Sequence, residues 1–472
     1  MRRALAILAL ALVLVSTAAA ATIHGTKHGD LLQAAFGGVD RVSCGGGRDV
    51  VSADASDRVA SDCEVVLRRL SVDPYANRDS QHETAVEPDD FAWGTTVVAA
   101  FQLGRRESGA AANIGTAVST DAGRTWRRSV LPGVTVNAGG AETAASDPTV
   151  GYDAVHGVWL VGVLTLDGDG SSVLVARSTD GLHWSAPVDA ADGPILDKDW
   201  LACDNSPTSP HEGRCYLEYS DDEKNITVSQ SSDDGGLTWS PPVRAGSILV
   251  GTQPVIQPNG TLTVVAGDYR GEDALTGSIA ALRSTDGGAT FQRFTVSNLL
   301  SANDDPMRAI ALPSVDVDST GTIYAVWHDC RFRPSCTAND IVLATSTDGM
   351  TWSAPSRVTT GPSSFIPGLG ADPTTPGRLG LVYAYFDARQ SLNVAFTQSR
   401  DGGKTWTRAQ RLDAQPMQMS WLPRAEGGRM VGDYFSTSFS AGRVVPVYAL
   451  AAAPANGRLR EGIFAASLKP VG

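Results

Sequence analysis

The sequence predicts an all-β fold built as a β-propeller, and three observations lead to that expectation. The chain has 472 residues with 42% hydrophobic content, 49 glycines and 25 prolines. These glycines and prolines cluster between β-branched runs, which disfavours long helices. A polar string that ends in an aromatic residue occurs six times. Each period of about fifty to sixty residues holds four short strands, which is typical of propeller blades.

The repeated string follows a strand of alternating character each time. Its copies are STDAGRTW (119–126), STDGLHW (178–184), SDDGGLTW (232–239), STDGGATF (284–291), STDGMTW (346–352) and SRDGGKTW (399–406). Serine and aspartate side chains can accept backbone N–H bonds within such a turn, and glycine can adopt positive φ. The terminal aromatic ring can pack on the next strand. The string therefore predicts an anchored turn between two strands of each blade.

The pattern S-x-D-x-G-x-T-W resembles the Asp box, or bacterial neuraminidase repeat, of sialidases and related propellers. The resemblance covers residues 83–467, most of the chain that would remain after export. It implies a propeller with the Asp boxes at the periphery of the blades. Enzymes and non-enzymes of that superfamily share the box, so it does not by itself imply a reaction.

Seven blades are favoured over the six of typical sialidases. Residues 83–90 open the first unit, and residues 432–451 with 461–468 supply a seventh set of inner strands that has no Asp box. The outer strand of this last unit is missing from the end of the chain. Residues 64–72 can supply it, so that pairing between the two ends of the chain closes the ring.

Two further units precede the propeller, which we assign to residues 64–472. Residues 1–21 place Arg2 and Arg3 before an apolar run and small side chains, the layout of a cleavable secretory signal peptide, with a membrane anchor as the alternative. Residues 22–63 repeat an aspartate followed by apolar residues and resemble a degenerate calcium-binding nonapeptide roll. Structural calcium is thus a candidate, although no cofactor is required. The alternative is a spacer stapled by a disulfide.

Charge and cysteine content restrict the partners and the compartment. The 38 basic and 51 acidic residues give a net charge of −13, which would repel nucleic acid and anionic membrane surfaces. The six cysteines fall as near neighbours and predict three local disulfides in an oxidising compartment; the pairs are Cys44 with Cys63, Cys203 with Cys215, and Cys330 with Cys336. We expect a secreted, extracellular monomer without a membrane span in the mature chain.

The resemblance to sialidases also implies a set of catalytic groups. That family holds a sugar carboxylate with three arginines, attacks with a tyrosine partnered by a glutamate, and protonates through an aspartate. The segment MRAIALPSVDVDSTGTIYAVWHDCRFR (307–333) is nearest to the family's aromatic-Arg-Ile-Pro strand. Ala311 stands at the place of the arginine, and Arg308 is the candidate substitute.

Other candidates come from two polar loops and from the starts of the inner strands, which converge on the mouth of a propeller channel. Asp340 is a candidate acid, or alternatively a strand cap. Tyr434 is a candidate nucleophile activated by Glu426 or Asp433, or alternatively a buried core tyrosine. The full catalytic set is Asp340, Tyr434, Asp433, Glu426, Asp199 and Glu83. The substrate-binding set is Arg308, Arg331, Arg333, Arg424, Arg429 and Trp200.

These features predict a secreted, sialidase-like glycoside hydrolase that acts on an extracellular glycan or glycoprotein. No H-E-x-x-H helix or G-x-S-x-G elbow occurs, so neither a catalytic metal nor a serine triad is expected. The alternative is a non-catalytic propeller that binds carbohydrate or protein, and a polysaccharide lyase or other glycanase is a third possibility. Arginines that converge from three blades would favour the sialidase. A channel mouth lined by amides and aromatic rings would favour the binding module.

Overall fold

The structure is a computed structural model that describes residues 20–168, 170–270, 274–303 and 306–471. Within these ranges the chain forms β-strands and three short 3₁₀ helices, at Val136–Ala138, Pro334–Cys336 and Met419–Trp421. The all-β class predicted from the sequence is therefore confirmed. No helix in the described ranges has the length and apolar character needed to cross a membrane. Residues 1–19, which make up most of the expected signal peptide, lie outside the described residues.

The first six strands form a parallel coil with two faces. They are β1 (Thr22–His24), β2 (Leu31–Gln33), β3 (Arg41–Ser43), β4 (Val50–Ala53), β5 (Arg58–Val59) and β6 (Val65–Arg69). Strands β1, β3 and β5 pair in parallel on one face, and β2, β4 and β6 pair in parallel on the other. Carboxylates bond successive coils together, since the backbone N–H of Asp40 donates to Asp57 Oδ1 at 2.9 Å and that of Asp30 donates to Asp49 Oδ1 at 2.7 Å.

These turn carboxylates bear on the candidate calcium site. They accept backbone N–H bonds, which stabilises the coil without an ion. In the described part of the chain, the only three side chains of metal-ligating type within 4.8 Å of one another are Cys44, Asp62 and Cys63, and the two cysteines form a disulfide. Calcium takes six to eight oxygen ligands, and this arrangement does not gather them. Calcium binding by this module stays a prediction.

The rest of the described chain forms seven antiparallel units of four strands, which we call sheets, with the strands in order from the centre outwards. A pairing of Ala145 with Ala111 joins the first two into one eight-stranded sheet, and the last continues into β2 and β4 as a six-stranded sheet. The first three sheets are β7 (Ala85–Trp93), β8 (Thr96–Arg105), β9 (Ala111–Ser119) and β10 (Arg127–Val130); β11 (Ala144–Asp153), β12 (Val158–Asp167), β13 (Gly170–Ser178) and β14 (Val188–Gly193); and β15 (Leu196–Cys203), β16 (Cys215–Asp221), β17 (Ile226–Ser232) and β18 (Val243–Ser247).

Four further sheets follow in chain order. They are β19 (Val250–Ile256), β20 (Leu262–Arg270), β21 (Thr276–Ser284) and β22 (Gln292–Leu300); β23 (Ser314–Val317), β24 (Ile323–Asp329), β25 (Asp340–Ser346) and β26 (Ser356–Arg357); β27 (Ser364–Ala371), β28 (Leu379–Phe386), β29 (Leu392–Ser399) and β30 (Gln410–Arg411); and, after a hairpin of β31 (Arg424–Ala425) and β32 (Gly428–Arg429), β33 (Ser436–Ser440), β34 (Arg443–Ala451) and β35 (Glu461–Ala466) with β6.

The first strands of the seven sheets stand side by side in a closed ring. Strand β7 contacts β11, β11 contacts β15, and the series continues through β19, β23, β27 and β33 back to β7. The ring closes because β6, from the start of the chain, pairs antiparallel with β35 at its end, with Phe464 opposite Arg69. The fold is thus a β-propeller. The domain boundary between residues 63 and 64 stays a prediction, since β6 pairs with both units.

Side chains on the first strands bond each blade to the next. Asp89 Oδ2 accepts the N–H of Val150 on the following blade at 2.7 Å, and Asp316 Oδ2 accepts that of Ala371 at 2.7 Å. Burial raises the pKa of both aspartates to about 7, and it raises the pKa of Asp90 to about 8. The inner ring therefore holds carboxyl groups that bind protons near neutral pH.

The Asp boxes connect the third and fourth strands of six blades. In the first box, Ser119 Oγ accepts the N–H of Gly123 at 2.8 Å, and Asp121 accepts the N–H and the hydroxyl of Thr125 at 2.8 and 2.7 Å. The Trp126 indole donates to the Gly123 carbonyl at 3.0 Å. Each box is thus a closed knot of hydrogen bonds, as the repeated string predicts.

Each box also docks on the neighbouring blade through its glycine. A Cβ on Gly123, whose φ is +79°, would lie 3.0 Å from the side chain of Val445 on the last blade. The corresponding pairs in the other boxes are Gly181 with Val98, Gly236 with Leu160, Gly288 with Tyr216, Gly349 with Thr263, and Gly403 with Leu343. The six boxes are therefore contacts between blades, and this accounts for their recurrence.

Replacement of Asp121 by alanine should destabilise the propeller. The change removes the acceptor of four bonds in the first box and leaves the N–H groups of Arg124 and Thr125 without this partner, at an expected cost of about 1–3 kcal/mol in the free energy of unfolding. Denaturant unfolding followed by tryptophan fluorescence measures the change. Arg127→Ala, an exposed substitution on β10, is the control. Equal stability of D121A and wild type would contradict this role for the box.

Thermal stability should peak at mildly acidic pH. The inner-ring carboxyls have raised pKa values in the folded protein, so between about pH 4 and pH 7–8 they ionise in the unfolded chain and stay protonated in the folded protein. The stability that they contribute below about pH 4 is therefore lost as the pH rises to 7–8. In the boxes, hydrogen bonds from threonine lower the pKa of Asp401 and, against burial, that of Asp286 to about 2. The stability that these two aspartates contribute to the fold is present above about pH 4 and is lost as the pH falls towards 2.

The measurement is the melting temperature at constant ionic strength from pH 2 to 9. Asp90→Asn, which removes one titrating inner carboxyl, should reduce the decline on the alkaline side. A melting temperature that increases steadily from pH 5 to 8 would show that the inner carboxyls are ionised in the folded protein.

Candidate active site

Five of the seven inner strands carry the same irregularity close to their start. The pairing of the first strand with the second shifts by a bulge, and a residue in the bulge has positive φ. These residues are Glu87 (51°), Asp147 (43°), Lys198 (53°), Gly251 (71°) and Ile366 (49°). Positive φ is costly for residues other than glycine and often marks a functional site. The bulges therefore place charged side chains at one end of the ring.

Lys198 is the centre of this end of the ring. Its ammonium group is 2.7 Å from Asp433 Oδ2, 3.3 Å from Asp147 Oδ1 and 3.9 Å from Glu87 Oε1. The four side chains come from the blades that begin with β15, β33, β11 and β7, and each is 8% exposed or less. We call Lys198, Asp433, Asp147, Glu87 and the adjoining Arg308 the mouth cluster.

Arg308 joins the cluster from the segment ahead of β23. Its Nε and Nη2 donate to the two carboxylate oxygens of Asp433 at 2.9 and 2.7 Å. Burial alone would raise the pKa of Asp433, but Lys198 and Arg308 hold it well below its ordinary value. In turn Asp147, Asp433 and Glu87 outweigh burial and raise the pKa of Lys198. Asp433 is therefore an ionised counter-ion between two cations.

Glu87 has the opposite protonation state. Burial raises its pKa to about 8, against the lowering effect of Lys198, and the charges of Asp147 and Asp433 add to the increase. Gln102 donates to Glu87 Oε2, and Arg105 fixes the orientation of that amide by donating to Gln102 Oε1 at 3.1 Å. At neutral pH the mouth cluster thus contains a carboxylic acid beside ionised groups.

Tyr434 and Trp200 flank the cluster with their rings. The two ring centroids are 5.0 Å apart in an edge-to-face arrangement, and Lys198 Nζ lies 5.8 Å from the Tyr434 centroid. The Tyr434 hydroxyl donates to the carbonyl of Pro148 at 3.3 Å, and burial raises its pKa well above the ordinary value. This environment keeps the phenol protonated and does not favour its role as a nucleophile, which stays a prediction.

Asp199 lies between the second and third blades. It is fully buried, and neither carboxyl oxygen has a hydrogen-bond partner among the described residues. Its Oδ2 and Thr149 Oγ1 each lie 2.8 Å from the position that a Cβ on Gly162 would occupy. Burial raises the pKa of Asp199 well above its ordinary value. The structure therefore places Asp199 behind the mouth cluster, as a neutral group packed between blades.

The candidates from the loop after β24 lie outside the mouth cluster. Asp340 is fully buried and pairs with Arg333 at 2.5 Å and with Arg357 at 2.9 Å. Arg331 donates to both oxygens of Asp329, at 2.9 and 2.7 Å. These pairs, with the disulfide between Cys330 and Cys336, hold the loop. Asp340 is occupied as a counter-ion, so its geometry does not favour the acid role predicted for it.

All three disulfides predicted from the sequence are confirmed. Besides the two already described, Cys203 and Cys215 join opposite residues of β15 and β16. This bond links the strand that carries Lys198 to its neighbour in the same blade.

Four candidates remain. Three lie on the hairpin of β31 and β32 over the mouth cluster, and the fourth lies at the seam, where the two ends of the chain close the ring. Arg424 and Glu426 are exposed on the hairpin of β31 and β32, and the Glu426 carbonyl accepts a bond from Arg308 Nη1 at 3.2 Å. Arg429 donates to the Leu422 carbonyl at 2.8 Å. Glu83 lies at the seam, where its carbonyl accepts the N–H of Glu461 at 2.9 Å. In the described part of the chain, none of these four side chains bonds to a member of the mouth cluster.

Of the predicted site residues, the structure brings Arg308 and Asp433 into the mouth cluster. Asp147 and Lys198 lie at inner-strand starts expected to converge on the channel mouth but are not in the predicted catalytic or binding sets, and Glu87 is in neither group. The signal that could have identified them is a charged residue at the third or fourth position of three inner strands, before Pro88, Pro148 or Asp199. The convergence of arginines that would favour a sialidase does not occur among the described residues, since Arg308 is the one arginine that bonds a carboxylate of the cluster there. The mouth is also not lined mainly by amides and aromatic rings. Its chemistry is that of a buried acid, carboxylates and a lysine.

Comparison with solved structures finds similar chains at low identity, among them a sialidase and an arabinanase. A microbial sialidase, Hadza Hz136, is 18% identical with a TM-score of 0.46, over 70% of this chain and 66% of that one. An α-L-arabinanase of Penicillium chrysogenum, solved with arabinobiose, is 13% identical with a TM-score of 0.46, over 86% and 98%. A protein of unknown function from Dyadobacter fermentans is 15% identical with a TM-score of 0.45, over 69% and 95%.

Comparison at the level of sequence gives the family. No functionally curated protein matches the chain. The model of the BNR repeat-like domain matches residues 94–317 and 300–434. These matches include all six Asp boxes and part of the propeller before the first of them, and together they span more than half of the chain. The protein therefore belongs to the family of BNR repeat-like domains, in agreement with the sialidase-like Asp-box propeller that the repeated strings indicate.

Proposed function

We propose that the protein is a secreted glycoside hydrolase of extracellular glycans, with the mouth cluster at the base of its substrate site. One observation carries the proposal: Glu87, a neutral acid, shares the Lys198 ammonium group with the ionised carboxylate of Asp433. Glycoside hydrolysis requires one carboxylic acid and one carboxylate, and an enzyme obtains them by separating the pKa values of neighbouring groups. The three disulfides support the oxidising compartment outside the cell.

The roles follow from how tightly each carboxyl is held. Asp433 receives bonds from Arg308 and Lys198, so we assign it to holding the cluster together. Asp147 contacts Lys198 at 3.3 Å and is the less restrained carboxylate. Glu87 would donate its proton to the glycosidic oxygen as the C–O bond breaks. Asp147 would take a proton from the water that attacks the anomeric carbon, and solvent exchange would restore both groups.

The arginines support a neutral glycan as the substrate rather than a sialoside. A sugar carboxylate is best held by guanidinium groups that are free to form two parallel bonds. Arg308 is already paired with Asp433, and Arg331 and Arg333 are paired with Asp329 and Asp340. A neutral sugar needs no such clamp. The sialidase-like specificity expected from the family resemblance is therefore replaced, in this proposal, by a neutral substrate.

The alternative function is a non-catalytic propeller that binds carbohydrate or protein. One observation favours it: the Glu87 and Asp147 side chains are only 2% and 4% exposed, because the cluster is covered. Arg308, at 23% exposure, is the member of the cluster that reaches the surface. Hydrolysis would require the segment carrying Arg308 and the hairpin of β31 and β32 to move, whereas a binding module would not.

Glu87→Gln and Asp147→Asn test the two assignments. Both substitutions keep the shape of the side chain but remove either the transferable proton or the negative charge. We expect each to lower kcat by about 10²–10⁴-fold. E87Q should change the melting temperature little, whereas D147N should lower it, because it removes a partner of the buried Lys198 ammonium group. The assay is release of a fluorogenic aglycone from a panel of neutral glycosides and a sialoside. Asp189→Asn, an exposed change on β14, is the matched control.

Three outcomes decide the matter. Turnover of neutral glycosides that E87Q and D147N lose supports the proposed hydrolase. Turnover that survives E87Q places the acid elsewhere. Saturable binding without turnover of any glycoside by the wild type would favour the binding propeller.

A further inference from the structure

The loop after β24 presents an aromatic ring to solvent. Phe332 lies within the segment that the disulfide between Cys330 and Cys336 closes, and it is 40% exposed. Leu300 adjoins the base of this loop, because the Cys330 N–H donates to the Leu300 carbonyl at 2.8 Å, and Leu300 is exposed as well. Exposed apolar side chains that are grouped together and rimmed by polar residues often mark a binding surface. The loop therefore offers an apolar contact at the surface of the propeller.

The loop is fastened on both sides of this ring. Arg331 donates to the two oxygens of Asp329 at 2.9 and 2.7 Å. Arg333 donates to the two oxygens of Asp340 at 3.0 and 2.5 Å. The disulfide is a third restraint on the same loop. A side chain on a rigid loop loses little conformational freedom when a ligand covers it, so Phe332 is preorganised for a contact from solvent.

The paired arginines also restrict the charge of a ligand at this ring. The charges of Arg331 and Arg333 are neutralised by buried carboxylates, so neither guanidinium is available to hold an anionic group. A neutral sugar ring needs no such partner. Its faces present C–H groups, which pack against the negative face of an aromatic ring. The contact at Phe332 thus fits a neutral sugar better than an acidic one.

The loop lies at the same end of the propeller as the mouth cluster. It begins where β24 ends, and β24 runs antiparallel to β23, whose start follows Arg308. Just past the loop, the Asn339 side chain bonds the backbone N–H and carbonyl of Ala302 at 2.8 and 2.9 Å. Ala302 precedes Arg308 by six residues, so their Cα atoms are at most about 22 Å apart. An extended glycan can reach both places, whereas a single sugar cannot.

We propose that Phe332 is a remote substrate contact, on which one sugar ring of a neutral glycan stacks while another part of the same glycan occupies the mouth cluster. This inference rests on the proposed function and adds a preference for long chains to it. Binding at a remote unit holds the chain in place for cleavage at the mouth cluster. The substrate class is therefore a neutral oligosaccharide or polysaccharide rather than a small glycoside.

Phe332→Ala is the test, and Met350→Ala is its matched control. Met350 is 39% exposed and lies in the Asp box of the same blade; since β25 starts after the loop and ends at this box, Met350 lies at the opposite end of the blade. Both positions are exposed, so neither variant should change the melting temperature.

The probes are the disaccharide and the octasaccharide of the sugar whose fluorogenic glycoside the wild type turns over best. F332A should raise KM for the octasaccharide by about tenfold, because the stacked sugar loses the apolar surface that covers it. The disaccharide is too short to reach the loop from the mouth cluster, so its KM should not change. M350A should leave both KM values unchanged.

Two further variants and a binding measurement separate ring stacking from other effects. Phe332→Trp keeps an aromatic face and should retain the wild-type KM for the octasaccharide, whereas Phe332→Leu lacks the ring and should show the loss seen with F332A. In the E87Q background, where hydrolysis is slow, titration calorimetry gives the Kd of the octasaccharide directly. Addition of F332A to this background should raise that Kd by about tenfold.

The outcomes separate this inference from the proposed function. An octasaccharide KM that F332A leaves unchanged would overturn the role of Phe332 and leave the hydrolase intact. An equal loss on the disaccharide and the octasaccharide would also overturn it, since the loop would then act by holding the mouth cluster in shape. A wild type that neither binds nor hydrolyses neutral glycans of either length would overturn both proposals.

Discussion

The buried ammonium group of Lys198 is the interaction on which the centre of the molecule depends. It bridges carboxyl groups from three other blades, and Arg308 adds a second cation on Asp433. Buried ion pairs often cost as much in desolvation as they return in attraction. A network of this kind is a weak source of stability, and its more plausible use is to fix charged groups in one geometry. The positive φ values of Glu87, Asp147 and Lys198 carry the same implication, since the backbone is held in costly conformations to present them.

The periphery has the opposite design. Each Asp box bonds its turn through its own serine and aspartate and docks a glycine on the preceding blade, so the outer part of the ring is a repeated, hydrogen-bonded contact. The disulfides add local constraints, and β6 closes the ring by pairing with β35. Stability from these outer contacts can offset the cost of charged and unpaired groups at the centre. This division explains how one scaffold can hold a polar site at its centre.

The sequence predicts the propeller fold well and the residues of the mouth cluster much less well. The repeated turns, the cysteine pairs and the extra strand at residues 64–72 are local or periodic signals, and each has a direct counterpart in the structure. The mouth cluster is different, because its residues are far apart in the chain and meet only in the folded ring. The bulges that bring them together are not visible in the alternation of polar and apolar residues along a strand. Asp433 was found for its place beside Tyr434, yet its partner Lys198 is 235 residues away. Asp340 and Arg333 were chosen for polarity in a loop, and the structure pairs them with each other.

The central claim is that a neutral Glu87 and an ionised Asp433 coexist around a charged Lys198. Neutron diffraction from crystals grown in heavy water near neutral pH observes these protons directly. The account predicts a deuteron on the Glu87 carboxyl, none on Asp433, and three on Lys198 Nζ. Density that shows Glu87 without a deuteron, or Lys198 with only two, would contradict it.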